Sequence, residues 1–210
     1  MGGTFRAKCV ALGLLGGATV AAGGEPGIRV RLFDYTGLDS EVVSRATLEA
    51  TEVLGKAGIR TSWLPCKVSS FIEPAPPECG ESLDELDFVL RFVRTAPAGK
   101  DLCLGIAMVT GEGGMFATVY LDRIDELVKL RIASRAQVLG HAAAHEIGHL
   151  LLGTNSHAPS GIMRASWGRG DLNNINRQWL LFSQDQSERM ARTARERIAS
   201  SESSRIARKR

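Results

Sequence analysis

The sequence predicts an α+β fold, a single domain that combines a mixed, twisted sheet with a long helix near residue 145 and a C-terminal helix. Short stretches of apolar alternation dominate the first half of the chain, and helical patterns dominate the second half. The length of 210 residues suits one hydrophobic core. The order strand, helix, several strands and then helices is a mixed α+β or α/β plan.

The predicted sheet begins at residues 28–33, where apolar Ile28, Val30 and Leu32 alternate with residues of the opposite face. This two-residue period is that of a β-strand. An apolar helical stripe over residues 42–54 follows, and Gly58 is a suitable end for that helix. Four further strands are predicted at residues 59–64, 86–93, 104–109 and 115–121.

Three helices are predicted after the last strand. The first spans Asp122 to Arg131, and the second begins near Ser134 and has an apolar side that extends to Leu150. Ser183 and Gln186 have the spacing of a capping box, which predicts that the last helix begins there.

The second of these helices carries His145, Glu146 and His149 in the pattern HExxH. Residues four apart lie on one helix face, so both imidazoles can bind the same Zn²⁺ ion. Glu146 lies beside them without being needed as a ligand, which suits a general base toward a zinc-bound water. His141 is one turn earlier, and three successive turns span about 12 Å, too far to converge on one ion. We therefore expect His141 to support the site or to lie at the core edge.

Two residues beyond this helix extend the pattern. Gly153 suits the left-handed conformation that ends a helix, and the returning chain could bring His157 under the metal. A third protein ligand leaves one coordination position open for water, as in catalytic zinc sites. The alternative third ligand is Glu188 on the last helix. This would be the layout of the gluzincins, in which the third zinc ligand is a glutamate on a later helix.

The stretch HEIGHLLLGTNSH, followed by SGIM, resembles the metzincin branch of the zinc metallopeptidases, whose pattern is HExxHxxGxxH with a later methionine-containing turn. The resemblance is confined to this stretch. Three residues rather than two precede the glycine, and three rather than two separate it from the last histidine. Ala165 stands where astacin-like and serralysin-like members have a tyrosine. The matching residues are His145, Glu146, His149, Gly153, His157 and Met163.

The resemblance implies a zincin-like metallopeptidase domain over residues 23–199, with Zn²⁺ as cofactor and a peptide or protein as substrate. It implies that strand 115–121 is an edge strand to which an extended substrate adds. A non-catalytic, zinc-stabilised binding protein of the same fold is the alternative, although a purely structural site has no use for the base. The implied roles are metal ligands for His145, His149 and His157, general base for Glu146, and the turn beneath the metal for Met163.

The N-terminal residues indicate export. Arg6 and Lys8 precede an uncharged apolar run from Cys9 to Ala22, which is shorter than the roughly 20 residues of a membrane span. We expect residues 1–22 to be a signal peptide and the mature chain to be secreted or periplasmic. A retained N-terminal anchor is the alternative.

The remaining residues add a disulfide, a tail and limits on partners. Cys66 and Cys79 flank a proline-rich loop and are expected to be joined, although pairing with Cys103 stays open. Residues 200–210, rich in Ser, Arg and Lys, are expected to be a basic disordered tail. The net charge of +3 argues against dedicated nucleic-acid binding. We expect a monomer with no stable membrane span after signal cleavage.

Overall fold

The computed structural model describes residues 25–66, 75–99, 103–110 and 113–207. The predicted signal peptide, the first part of the proline-rich loop and the last three residues lie outside these ranges. No helix within the described ranges is long and apolar enough to cross a membrane.

Five strands form one mixed sheet, as the sequence predicts. The sheet has the order β2-β1-β3-β5-β4, in which β1, β2, β3 and β5 are parallel and β4 runs antiparallel to β5. The strands β2 and β4 are therefore the two edges. The strands are β1 (Gly27–Asp34), β2 (Arg60–Pro65), β3 (Asp87–Val93), β4 (Gly105–Thr110) and β5 (Gly113–Tyr120).

Five α-helices accompany the sheet within the described residues. They are α1 (Ser40–Lys56), α2 (Leu121–Val128), α3 (Arg135–Leu152), α4 (Arg169–Asn176) and α5 (Gln184–Ala207). The predicted capping box of the last helix is present, because Gln186 N–H donates to Ser183 Oγ and Ser183 N–H donates to Gln186 Oε1.

The main core lies between one face of the sheet and the helices α1 and α3. Val30, Phe88 and Leu90 share that face and are fully buried. Helix α3 crosses α1 so closely at Gly140 that a Cβ there would lie 2.5 Å from Ala46 O. The central helix is consequently buried along nearly its whole length, which fixes the side chains that it carries.

The other face of the sheet holds a buried ion pair under a loop. Arg31 is 1% exposed, and its guanidinium pairs with Asp87 on the neighbouring strand. It also donates to the carbonyl oxygens of Glu81 and Ser82, so the segment before β3 folds over the sheet. Unpaired, such a buried charge would be strongly destabilising.

The disulfide prediction is confirmed, since Cys66 and Cys79 are bonded and Cys103 is a free thiol. Two other expectations need correction. The segment from Ser200 is not disordered through its length, because α5 continues to Ala207 and Ser201 and Arg205 donate to Asp84. Helix α4 is not among the three helices predicted after the last strand, and Asp171 in its first turn accepts from Gly168 N–H.

The assignment of strand 115–121 as the edge is wrong. Strand β5 lies between β3 and β4, so both of its sides are paired, and β4 is the free edge beside α3. The cause is the antiparallel β4–β5 hairpin, which folds the earlier strand to the outside.

Candidate metal centre

Helix α3 is positioned by a capping box at its start. Ser134 Oγ accepts from Gln137 N–H at 3.2 Å, and Gln137 Oε1 accepts from Ser134 N–H at 2.9 Å. This satisfies two otherwise unpaired donors at the position where the sequence predicts the helix to begin. His145 and His149 then follow one turn apart on the buried face.

The helix ends at Gly153, which is left-handed with φ of 64°. This conformation is easy for glycine and turns the chain back beneath the helix. The Thr154 carbonyl is thereby brought to His149, and His157 reaches the two helical imidazoles. The ligand atoms of His145, His149 and His157 all lie within 4.8 Å of one another.

Met163 lies in the turn that follows and is 1% exposed. It packs against α3 at Gly148, where an added Cβ would lie 3.0 Å from Met163 Sδ and 2.6 Å from the Phe182 ring. The close approach of this turn to the helix therefore depends on the glycine within the HExxH motif.

The turn also orients His145. The Ile162 carbonyl accepts from His145 Nδ1 at 2.7 Å and from the indole Nε1 of Trp167 at 3.2 Å. The Trp167 ring meets His145 edge to face, with centroids 5.9 Å apart. The sequence analysis did not identify Trp167, because no local pattern relates it to a histidine so far back in the chain.

The tautomers of the helical histidines follow from their partners. His149 Nδ1 contacts Thr154 O at 2.7 Å, as His145 Nδ1 contacts Ile162 O. A carbonyl oxygen can only accept, so each Nδ1 carries the proton of its ring and each Nε2 presents a lone pair. The two Nε2 atoms face each other at 3.0 Å. They cannot hydrogen-bond when both lack a proton, and their lone pairs repel.

Protonation of either imidazole does not readily relieve this repulsion. Burial is the largest cause that lowers the pKa of His145 to about 3, and the neighbouring His149 lowers it further. Burial also lowers the pKa of His149. Neutral imidazoles with converging lone pairs are the donor set that suits a divalent cation such as Zn²⁺. The residues present therefore fit a zinc ion.

Glu146 lies beside the three histidines. It is 3% exposed, and burial raises its pKa to about 8. Its Oε2 has no hydrogen-bond partner in the described structure, which leaves a buried polar atom available to a ligand. Glu146 also lines a cleft of about 220 Å³ together with His149 and His157.

The cleft contains residues that sequence reasoning missed. It is bounded by β4, from Gly105 to Ala107, and by the free thiol Cys103. Gly105 lies so close to the general-base candidate that a Cβ there would be 2.6 Å from Glu146 Oε1. Only the packing of β4 on α3 brings these residues together, so no sequence spacing signals it.

Two other candidates lie apart from the cluster. His141 is fully buried, contacts Gln137 O through Nδ1 at 2.9 Å and is not grouped with the three histidines. Burial lowers its pKa to about 4. Glu188 is exposed on α5, where its carboxylate accepts from Gln184 Nε2 at 2.9 Å.

The sheet order, the long central helix and the turn beneath it define a zincin-like peptidase fold, and solved structures agree with this. Archaemetzincin from Methanopyrus kandleri is similar with a TM-score of 0.50 and 20% identity, covering 81% of this chain and 97% of its own. A zinc-dependent peptidase from Methanocorpusculum labreanum has a TM-score of 0.51 and 16% identity, covering 77% of this chain and 99% of its own. At these identities the likeness establishes the fold. Neither a protein-family model nor a curated protein matches the chain.

Proposed function

We propose that this chain is a zinc-dependent, metzincin-like peptide hydrolase. The observation that carries the proposal is that His145 and His149 each contact a carbonyl oxygen through Nδ1, which leaves their Nε2 atoms 3.0 Å apart beside Glu146, whose buried Oε2 has no hydrogen-bond partner in the described structure. A cation resolves the repulsion between the nitrogens, and a reacting molecule gives the carboxylate a partner. The solved neighbours include a protein described as a zinc-dependent peptidase, which supports the same class.

His145, His149 and His157 are the proposed metal ligands, with Met163 in the turn beneath them. When bound, zinc supplies Lewis-acid polarisation and lowers the pKa of a coordinated water to about 7. Glu146 would take a proton from the attacking water at its Oε2 as the water oxygen bonds to the peptide carbonyl carbon, and would return that proton to the amine as the C–N bond breaks. Burial raises the pKa of this carboxyl, so the ionised form of Glu146 is a stronger base than an exposed glutamate.

Strand β4 is the proposed binding edge for the substrate. Leu104 O accepts from Tyr120 N–H, so Gly105, the next residue, forms a non-hydrogen-bonded pair with Val119. By the alternation of an antiparallel ladder, the N–H and C=O groups of Gly105 and Ala107 point away from β5. Both residues line the cleft, so an extended peptide can add there as a further strand.

Export is part of the proposal. The Cys66–Cys79 bond suits an oxidising environment, such as the one in which secreted and periplasmic proteins fold. The predicted signal peptide lies outside the described residues.

The central experiment uses Glu146→Gln, with Glu126→Gln as the matched control on the exposed face of α2. A peptide library identifies a cleaved substrate, and cleavage is repeated with a chelator. We expect Glu146→Gln to keep zinc and fold but to lose about 10²–10⁴-fold in kcat, because the amide cannot accept the proton. Glu126→Gln should cleave normally. A kcat of Glu146→Gln equal to that of the wild type would rule out Glu146 as the general base. Zinc binding with no cleavage by the wild type would favour the non-catalytic alternative.

The third ligand is tested by zinc content. His157→Ala should lose most of its bound zinc, because one of three protein ligands is removed. Glu188→Ala should retain a full equivalent, since that carboxylate is exposed on α5 and bonded to Gln184. Both variants are compared in the same metal buffer. Retention in His157→Ala together with loss in Glu188→Ala would establish the gluzincin layout instead.

A further inference from the structure

Edge strand β4 lacks two of the features that usually prevent pairing, charged side chains and proline. Exposed edge strands are commonly protected by charged side chains or proline. Strand β4 has the sequence GIAMVT and its partner β5 has GGMFATVY, so neither contains a charged residue or proline. An unprotected edge that borders a cleft is suited to pairing with another chain.

An apolar row lies along this edge on the sheet face opposite α3. Ile106 is 40% exposed, Met108 is 59% exposed, and Phe116, which is directly opposite Met108 in the ladder, is 40% exposed. We call these three residues the outer-face row. They are large apolar side chains on adjacent strands, so they form a contiguous exposed patch rather than scattered exposure.

The two faces of β4 differ in what they present. Gly105 and Ala107 point toward α3, where Gly105 lies against the Glu146 carboxylate. Ile106 and Met108 point to the other face because side chains alternate along a strand. The regular ladder ends after Met108, where the register shifts, so these two residues are the apolar positions of the regular edge.

A peptide added to β4 must follow the same alternation. Its residues opposite Gly105 and Ala107 face the histidines and Glu146. Its residues opposite Ile106 and Met108 lie on the outer-face row, at the short cross-strand distance where side chains interact. The main chain of β4 therefore recruits the peptide, and the outer-face row contacts every second side chain.

We infer that the outer-face row selects substrates, favouring extended peptides with large apolar side chains at two positions separated by one residue. This rests on the proposed function, because it assigns part of the specificity of the same cleft. An acidic or basic side chain at these positions would lose its hydration against an apolar surface without gaining a partner.

The test is a charge exchange at Met108. Starting from a cleaved peptide, two derivatives carry Glu or Lys at each of the two apolar positions. Met108→Lys and Met108→Glu are compared with Leu48→Lys and Leu48→Glu, since Leu48 is 61% exposed on α1, a helix that contacts β2 at the opposite edge of the sheet. We expect wild-type kcat/KM to fall about threefold to tenfold for both charged peptides, as cross-strand contacts of this size imply.

Met108→Lys should then prefer the Glu peptide, and Met108→Glu should prefer the Lys peptide, with zinc content unchanged. The Leu48 variants should retain the wild-type order. Equal Glu-to-Lys ratios in the two Met108 variants, with cleavage intact, would overturn the inference and leave the proposed function standing.

A binding measurement separates the two failures. Fluorescence anisotropy follows a labelled apolar peptide on Glu146→Gln, which cannot turn it over. If the wild type cleaves no peptide but Glu146→Gln binds the labelled peptide, and if adding Met108→Lys weakens that binding, the outer-face row recognises peptides although the protein is not a hydrolase. Absence of peptide binding would overturn the inference. A dimer in sedimentation analysis that Met108→Lys dissociates would also overturn it, because a second copy of the chain would then occupy the edge.

Discussion

Gly105 limits how the Glu146 carboxylate can lie against the sheet. A Cβ at this position would be 2.6 Å from Glu146 Oε1 and 2.5 Å from the Thr118 carbonyl oxygen. The second contact is backbone in the β5 ladder, so the strain cannot be relieved by a side-chain rotation alone. The glycine thus holds both the edge strand and the carboxylate in place.

Gly105→Ala should therefore lower kcat while zinc content is retained. We expect a loss on the order of 10²-fold, as for a small displacement of a catalytic group, and a loss of about 1–3 kcal/mol in the free energy of unfolding. Gly55→Ala is the control, since a Cβ there would meet nothing within 4 Å apart from its chain neighbours and the backbone of its own helix, and it should be neutral or stabilising. Wild-type activity in Gly105→Ala would show that the carboxylate position is not critical.

His141 shows how a histidine can lie one turn from the HExxH motif and serve packing instead. It is fully buried, and its Nε2 has no partner within the described structure. Burial lowers its pKa from 6.5 to about 4. Between these values the unfolded chain binds more protons than the folded protein, so the folded state loses stability as the pH falls.

His141→Leu should remove this part of the acid sensitivity. When the pH falls from 7 to 5, the wild type should lose about 2 kcal/mol more in the free energy of unfolding than the variant does. Urea unfolding at both pH values, with chelator present for both proteins, measures the difference, in which the other histidines cancel. An unchanged difference between the two pH values would contradict the assignment.

At the scale of elements, local patterns predicted what depends on neighbouring residues. Helix α3 begins where Ser134 and Gln137 form the capping box, and β1 follows its apolar alternation. Within the site, the four-residue spacing of His145 and His149 predicted their convergence because one helix turn creates it. The prediction that His157 joins them depended on a turn after Gly153 that the motif implied.

Pairing between distant segments was beyond local patterns. The alternation in β5 is the same whether one or both of its edges are paired, so the sequence could not show that β4 is outermost. Gly105 and Trp167 enter the site only through such packing.

The last turns of α5 were missed for a related reason. Their Ser-rich composition favours disorder, but Ser201 and Arg205 donate to Asp84. Farther back on α5, Arg197 donates to the Glu85 and Gly114 carbonyls. Tertiary contacts thus override a weak local preference.

Across the whole molecule, the disulfide and the candidate metal centre lie at opposite edges of the sheet. The Cys66–Cys79 bond follows edge strand β2, and it fastens the segment whose Glu81 and Ser82 carbonyls cover buried Arg31. The histidine cluster borders β4, at the other edge. Loss of the disulfide should accordingly weaken the fold without changing the geometry of the cleft.

The double variant Cys66→Ser/Cys79→Ser should lose about 3 kcal/mol in the free energy of unfolding, as expected for opening a loop of this length. Its zinc content and kcat/KM should match the wild type at temperatures where it is folded, because β2 and β4 are separated by three strands. Cys103→Ser is the control for stability, since that thiol is free. A reductant should destabilise the Cys103→Ser variant as much as it destabilises the wild type. Peptide mapping of the oxidised protein that finds Cys103 bonded to either partner, or a wild type whose stability is unaffected by reductant, would contradict the role of this bond.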